Sequence, residues 1–265
     1  LIAGSSDQYV SLYDSSTGVE LRRMTNPAIL TGVALLAGRP VAVGTDGTLR
    51  VWPAQVPVLR AAGMPASYNI ATDATADGWL AAGNSYDPSN LWRVTNGTIE
   101  PVADPQVTLP GDDAQRGAIA VAPAGDYLIG GSEQGRVIRW PLTPAGAGTP
   151  QVVETELGYV ATAKISRDGR LVAAVEEESG SRVVLLRADG GLSVAATIPA
   201  AGPRSAAFIA DSSILAVALS QGPVQLWSVA EPSTPTLVGA IEQATPEGTH
   251  LAASPVDALL AIGDG

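Results

Sequence analysis

The sequence predicts an all-β protein built from one small antiparallel sheet that recurs along the chain. Three observations predict it. Apolar runs of about 4 to 8 residues, punctuated by 20 prolines and 29 glycines, suit many short strands better than long helices. One apolar segment recurs seven times at similar spacing. A large side chain, usually tryptophan, follows each of the first six copies at a nearly constant distance.

In chain order the recurring segment is Leu1-Ile2-Ala3-Gly4, Val41-Ala42-Val43-Gly44, Leu80-Ala81-Ala82-Gly83, Leu128-Ile129-Gly130-Gly131, Leu171-Val172-Ala173-Ala174, Leu215-Ala216-Val217-Ala218 and Leu260-Ala261-Ile262-Gly263. The last residues of successive copies lie 39 to 48 positions apart, about 43 on average. The marker that follows is Tyr13, Trp52, Trp92, Trp140, Leu186 and Trp227, so four of the five tryptophans share one slot. Its offset is 8 or 9 residues in five copies and 12 in the fifth, where Glu176-Glu177-Glu178-Ser179-Gly180-Ser181 lengthens the turn. Upstream of several copies stands a tight-turn signal: Ala76-Asp77-Gly78, Ala124-Gly125-Asp126 and Arg167-Asp168-Gly169. Gly, Asn and Asp accept the positive φ that such turns require.

Each unit therefore reads as strand, turn, strand ending in a small residue, polar turn, strand carrying the marker, Pro-rich turn, strand. Four strands in about 43 residues make a propeller blade. Blades stack face to face, so inner strands are covered on both sides and need Ala, Val and Gly, while the marker fills the wider gap between neighbouring blades. Two-sided burial also accounts for 46% hydrophobic residues and a mean hydropathy of +0.19 without a membrane span, since no apolar run approaches the ~20 residues a span requires. The expected blades cover 1–25, 28–62, 68–104, 116–156, 159–199, 203–242 and, in part, 248–265. Seven blades in a ring that is incomplete at both ends is the expectation, as for a piece of a longer chain. The alternative is closure with six, Thr249 to Pro255 supplying the missing strand beside the amino-terminal three.

These residues resemble the WD-repeat β-propellers. The carriers are Thr45-Asp46-Gly47-Thr48-Leu49-Arg50-Val51-Trp52, Gln134-Gly135-Arg136-Val137-Ile138-Arg139-Trp140, Gly222-Pro223-Val224-Gln225-Leu226-Trp227 and Ile165-Ser166-Arg167-Asp168-Gly169-Arg170-Leu171-Val172. The resemblance spans essentially the whole chain. It departs from the family after the marker, where the family's aspartate stands only as Asp14 and the slot otherwise holds Pro53, Arg93, Pro141, Arg187 and Ser228. The Gly-His pair is missing as well. The resemblance thus implies degenerate repeats held by packing, without the hydrogen-bonded His, Asp, Ser/Thr and Trp network.

Composition excludes much chemistry. Zero cysteines remove thiol catalysis, redox switching and cysteine-type zinc sites. Fifteen basic against 26 acidic residues, net −11, disfavour nucleic acid and anionic lipid, because the arginines are scattered. The single histidine, His250, has no nucleophile elbow to serve: Gly130-Gly131-Ser132-Glu133-Gln134 lacks the final glycine, and no helix follows Ser132. His250 reads as a strand or loop residue, with general base as the alternative. No Walker loop, dinucleotide fingerprint or paired catalytic carboxylates are present, so no cofactor is expected.

Partner-binding candidates lie in polar turns. Glu176, Glu177 and Glu178 form the one dense charge run, which reads as a solvated tip or as a contact loop for a basic surface. Asp112 and Asp113, in the long connection 103–115, read as an acidic turn; the D-x-D-x-D-G spacing of a calcium loop is missing, and no metal is expected. Tyr86, in Gly83-Asn84-Ser85-Tyr86-Asp87-Pro88-Ser89-Asn90, is either an exposed anchor or a residue packed on its own loop. Asn96-Gly97-Thr98 matches a glycosylation acceptor, but Asn-Gly is first a two-residue hairpin turn.

The expected function is a non-catalytic scaffold or sensor that presents its loops to a protein or peptide. One lysine, Lys164, against fourteen arginines points to a high-GC bacterial genome, and the style of repeat implies a module of a larger bacterial signalling protein. Two alternatives stay open: a lactonase, hydrolase or quinoprotein-like propeller enzyme with its site at the central channel, and an extracytoplasmic assembly or ligand-binding propeller. The cytoplasm is favoured, with the extracytoplasmic compartment open.

Overall fold

A computed structural model describes residues 2–4, 9–13, 17, 19–25, 27–36, 39–44, 49–52, 71–74, 79–83, 90–95, 98–101, 118–176, 180–209, 211–242, 250–253 and 260–263. Candidate residues Tyr86, Asp112, Asp113, Glu177 and Glu178 lie outside them. Among the described residues every regular element is a strand, and no helix is long and apolar enough to cross a membrane.

The described strands form seven antiparallel sheets. Sheet one holds β1 (Ile2–Gly4), β2 (Tyr9–Tyr13) and β3 (Glu20–Thr25); sheet two holds β4 (Leu30–Leu36), β5 (Arg39–Gly44) and β6 (Leu49–Val51). Sheet three runs β7 (Ala71–Ala74), β8 (Trp79–Gly83), β9 (Asn90–Thr95) and β10 (Thr98–Pro101). Sheet four runs β11 (Ile119–Val121), β12 (Tyr127–Gly131), β13 (Arg136–Thr143) and the short β14 (Gly146–Ala147), with β15 (Gln151–Glu154) also along β13. Sheet five is β16 (Val160–Ile165), β17 (Leu171–Glu176), β18 (Arg182–Arg187) and β19 (Ser193–Pro199). Sheet six is β20 (Pro203–Ile209), β21 (Ile214–Leu219), β22 (Val224–Ser228) and β23 (Thr236–Ile241). Sheet seven pairs β24 (His250–Ala253) with β25 (Leu260–Gly263). Within each sheet sequential neighbours pair, as short hairpin turns dictate, except that β15 pairs with β13.

The chain divides into two compact units, Leu1–Leu128 with Trp140–Gly148, and Ile129–Arg139 with Thr149–Gly265. In the first, Val10 and Met24 of sheet one pack with Ala42 and Trp52 of sheet two. In the second, the sixth sheet shows how one strand serves two neighbours. Leu215, Val217 and Leu219 join Trp227 in a cluster with Leu171, Ala173, Val175, Val183 and Leu185 of sheet five. The intervening Ala216 and Ala218 join Leu251 of sheet seven. Alternate side chains of β21 therefore point to opposite neighbours, and both faces are dry. Each Leu or Val so buried contributes about 1.5–3 kcal/mol relative to an exposed one.

The register of the marker differs among the sheets. Trp227 lies opposite Leu215 and Trp92 opposite Leu80, the first residues of their segments. In sheet five, however, Leu186 lies opposite Val172 rather than Leu171. In sheet two the Trp52 amide donates to the Pro40 carbonyl, one residue before Val41. A strand buried on both faces is apolar without alternation, so composition alone cannot set its register. Turn length sets it: marker and partner are 12 residues apart in sheets two, three and six and 14 in sheet five.

Candidate functional site

The turns of sheets five and six build a polar groove at one end of these sheets. The β16–β17 turn is closed by its own side chains. Ser166, fully buried, donates to Asp168 Oδ1 at 2.6 Å and accepts from the amides of Arg170 and Leu171 at 3.2 and 2.9 Å. Gly169 takes the left-handed position of this turn at φ 71°. Gly125 does the same in sheet four at φ 69°. In sheet six that position is Ser212, at φ 74°, although a Cβ is disfavoured there. Ser212 is buried, and its hydroxyl accepts a hydrogen bond from the Arg167 amide of sheet five at 3.0 Å. The side chain that strains the turn also ties the two sheets together.

The groove has a volume of about 310 Å³. Buried Leu171, Ser212 and Val229 are part of its lining, and the charged groups on it are Asp168, Arg170, Arg187, Asp189, Asp211 and Glu231. Arg170 pairs with Asp189 at 3.2 Å within sheet five. Arg187, the last residue of β18, lies opposite Leu171 and reaches Glu231, in the turn between β22 and β23, at 4.0 Å. Among the described residues that pair is the cation-to-carboxylate link from sheet five to sheet six. Asp211 accepts from the Ser213 amide at 3.1 Å. The Ser213 hydroxyl, and then its amide, hold the Asp211 carboxyl below its ordinary value. Glu231 accepts from Ser233 Oγ at 3.1 Å. Among the described residues no group of three or more His, Cys, Asp or Glu side chains could hold a metal ion.

The sequence-derived candidates fall elsewhere. Glu176 ends β17, at the opposite end of the strand from Leu171 and the groove. It is half-buried, and its Oε1 accepts from the Gly158 amide at 2.9 Å, which makes it an anchor for the connection into sheet five. His250 is exposed at the start of β24, opposite Gly263. Ser132 is fully buried and accepts from the amides of Gln134 and Arg136, a turn-closing role. Of the marker residues, Trp52, Trp140, Leu186 and Trp227 are buried and Tyr13 is half-buried; Trp92 stands in β9 opposite Leu80. The hairpin β9–β10 pairs Thr95 with Thr98, flanking the Asn96-Gly97 dipeptide. Sequence reasoning missed the groove. Its traces were Asp168 and Arg170 in the turn before the fifth recurring segment, and Arg187, the residue that follows the marker in sheet five, where the WD family has aspartate.

No family model and no curated protein matches the chain. Among solved structures it is similar to the β-propeller domain of Myceliophteria thermophila Cps50 (Swd1), at 16% identity over 98% of this chain and 88% of that one, with a TM-score of 0.75. It is also similar to a functionally unknown protein from Desulfotomaculum acetoxidans, at 15% identity over 91% and 79% of the two chains, with a TM-score of 0.71. With sheets three, five and six four-stranded and antiparallel, this likeness establishes the architecture: the chain is an all-β propeller built from antiparallel blades.

Proposed function

We propose that the chain is a non-catalytic interaction module, a seven-bladed propeller of degenerate WD type within a larger bacterial signalling protein, that holds a protein or peptide against its turns. The seven sheets among the described residues support the blade count. The observation that carries the functional reading is the groove between sheets five and six. It is open and charged with both signs, its ion pairs are exposed, and it is framed by turns that hydrogen bonds to the buried Ser166 and Ser212 hydroxyls hold in place. A preorganised rim of this kind binds without the ordering cost of a loose loop.

Peptide display on the folded chain tests the reading. The expected result is a family of peptides whose binding shifts at least about tenfold, in either direction, with Arg187→Glu or Glu231→Lys. The same peptides should tolerate Glu176→Gln. Enrichment of no peptide, or of peptides indifferent to both groove substitutions, would overturn the assignment of this face.

A further inference from the structure

We infer that this groove receives a cationic side chain, a guanidinium before an ammonium, from an extended segment of a partner protein; the inference rests on reading the groove as the docking face. Four carboxylates and two guanidiniums line it. Both arginines already have carboxylate partners, Asp189 for Arg170 and Glu231 for Arg187. Asp168 and Asp211 are left facing only hydroxyls and amides of their own turns; among the described residues neither has an ion-pair partner. The excess is negative in the groove and, at net −11, across the chain, so both the local and the long-range field draw cations.

Geometry narrows the occupant. The Arg187–Glu231 pair bridges the two sheets at 4.0 Å with side-chain exposures of 39% and 72%. A solvated pair at that separation is weakly held. An incoming guanidinium can therefore take Glu231 from Arg187, and with Asp211 on the same groove it has further donors to offer, in a fork that an ammonium cannot reproduce. A volume of about 310 Å³ lies at the floor of the range for small-molecule sites, which suits one or two side chains better than a cofactor.

The test uses three fluorescent peptides on an identical Gly-Ser backbone, carrying arginines, lysines or glutamates, titrated by anisotropy against the whole chain. The expected order is arginine over lysine over glutamate, weakening as salt rises. Asp211→Asn combined with Glu231→Gln should weaken the arginine peptide about tenfold, with the circular-dichroism spectrum and thermal midpoint checked alongside. Arg187→Gln should act in the opposite direction and tighten it, because Glu231 loses its internal competitor; general damage to the fold would loosen every variant. Tighter binding of the glutamate peptide, or an Arg187→Gln variant that binds arginine more weakly, would overturn the cation assignment and leave the docking face standing. Arginine binding unchanged by the double substitution overturns the inference by placing the cation site elsewhere.

Discussion

Ser212 offers a sharp test of how the turns are held, because two opposing effects meet in one residue. Its left-handed backbone costs a residue with a Cβ about 1–2 kcal/mol, while its hydroxyl satisfies the Arg167 amide of the neighbouring sheet. Ser212→Ala keeps the strain and forfeits the bond, a loss of about 0.5–1.5 kcal/mol. Ser212→Gly forfeits the same bond and removes the strain, but adds about 0.5–1 kcal/mol of unfolded-chain entropy. Glycine should therefore remain within about 1 kcal/mol of the wild type and exceed alanine by about 0.5–1 kcal/mol, the reverse of the order found in regular structure. Urea titration reads this as an ordered shift in midpoint at constant slope. For a domain of this size each kcal/mol also moves the melting temperature by about 2–4 °C. An alanine variant as stable as the glycine variant, or more so, would refute the reasoning, since it would show that the turn carries no left-handed cost.

Other substitutions probe the packing and the charges. Gly135 adopts φ 76°, and a Cβ built there would stand 1.8 Å from the Leu157 carbonyl oxygen, so Gly135→Ala should lose about 2–5 kcal/mol in denaturant titration. Trp227 lies in the shared cluster of sheets five and six; Trp227→Ala should cost about 3–5 kcal/mol. Trp227→Leu, the side chain that sheet five uses in the same slot, should cost clearly less in the same titration. Asp211 is held below its ordinary value when folded, so its contribution is present above the unfolded value and is lost as pH falls through the folded one. Asp211→Asn should accordingly lower the thermal midpoint slightly in the neutral region and flatten the acid limb, so that the two curves converge at low pH.

The repeat was legible because its physics is local. A tight turn needs Gly, Asn or Asp, a strand covered on both faces needs small apolar residues, and a gap between sheets needs something large, so those types recur at about the same spacing. What local patterning could not resolve was register by a single residue. Val172 and Leu171 are both apolar, both buried and adjacent, and only the two extra residues between marker and partner in sheet five decide which one faces Leu186. Glu176 shows the same limit in the candidate site. As the first member of an acidic run it read as part of a solvated tip or a contact loop, and the fold adds what the run could not show, that it accepts the Gly158 amide across 18 residues.

By itself the sequence determined the class of fold and the four-stranded antiparallel order seen in sheets three, five and six, because each depends on side-chain type within one short hairpin. Only the tertiary structure decided where charge gathers. Arg187 and Glu231 are 44 residues apart in the chain, as Arg167 and Ser212 are 45 apart, and neither pair carries a motif. They meet because stacking one sheet on the next sets equivalent turns side by side, so a groove forms from residues about one repeat apart, a distance at which no hairpin pattern operates.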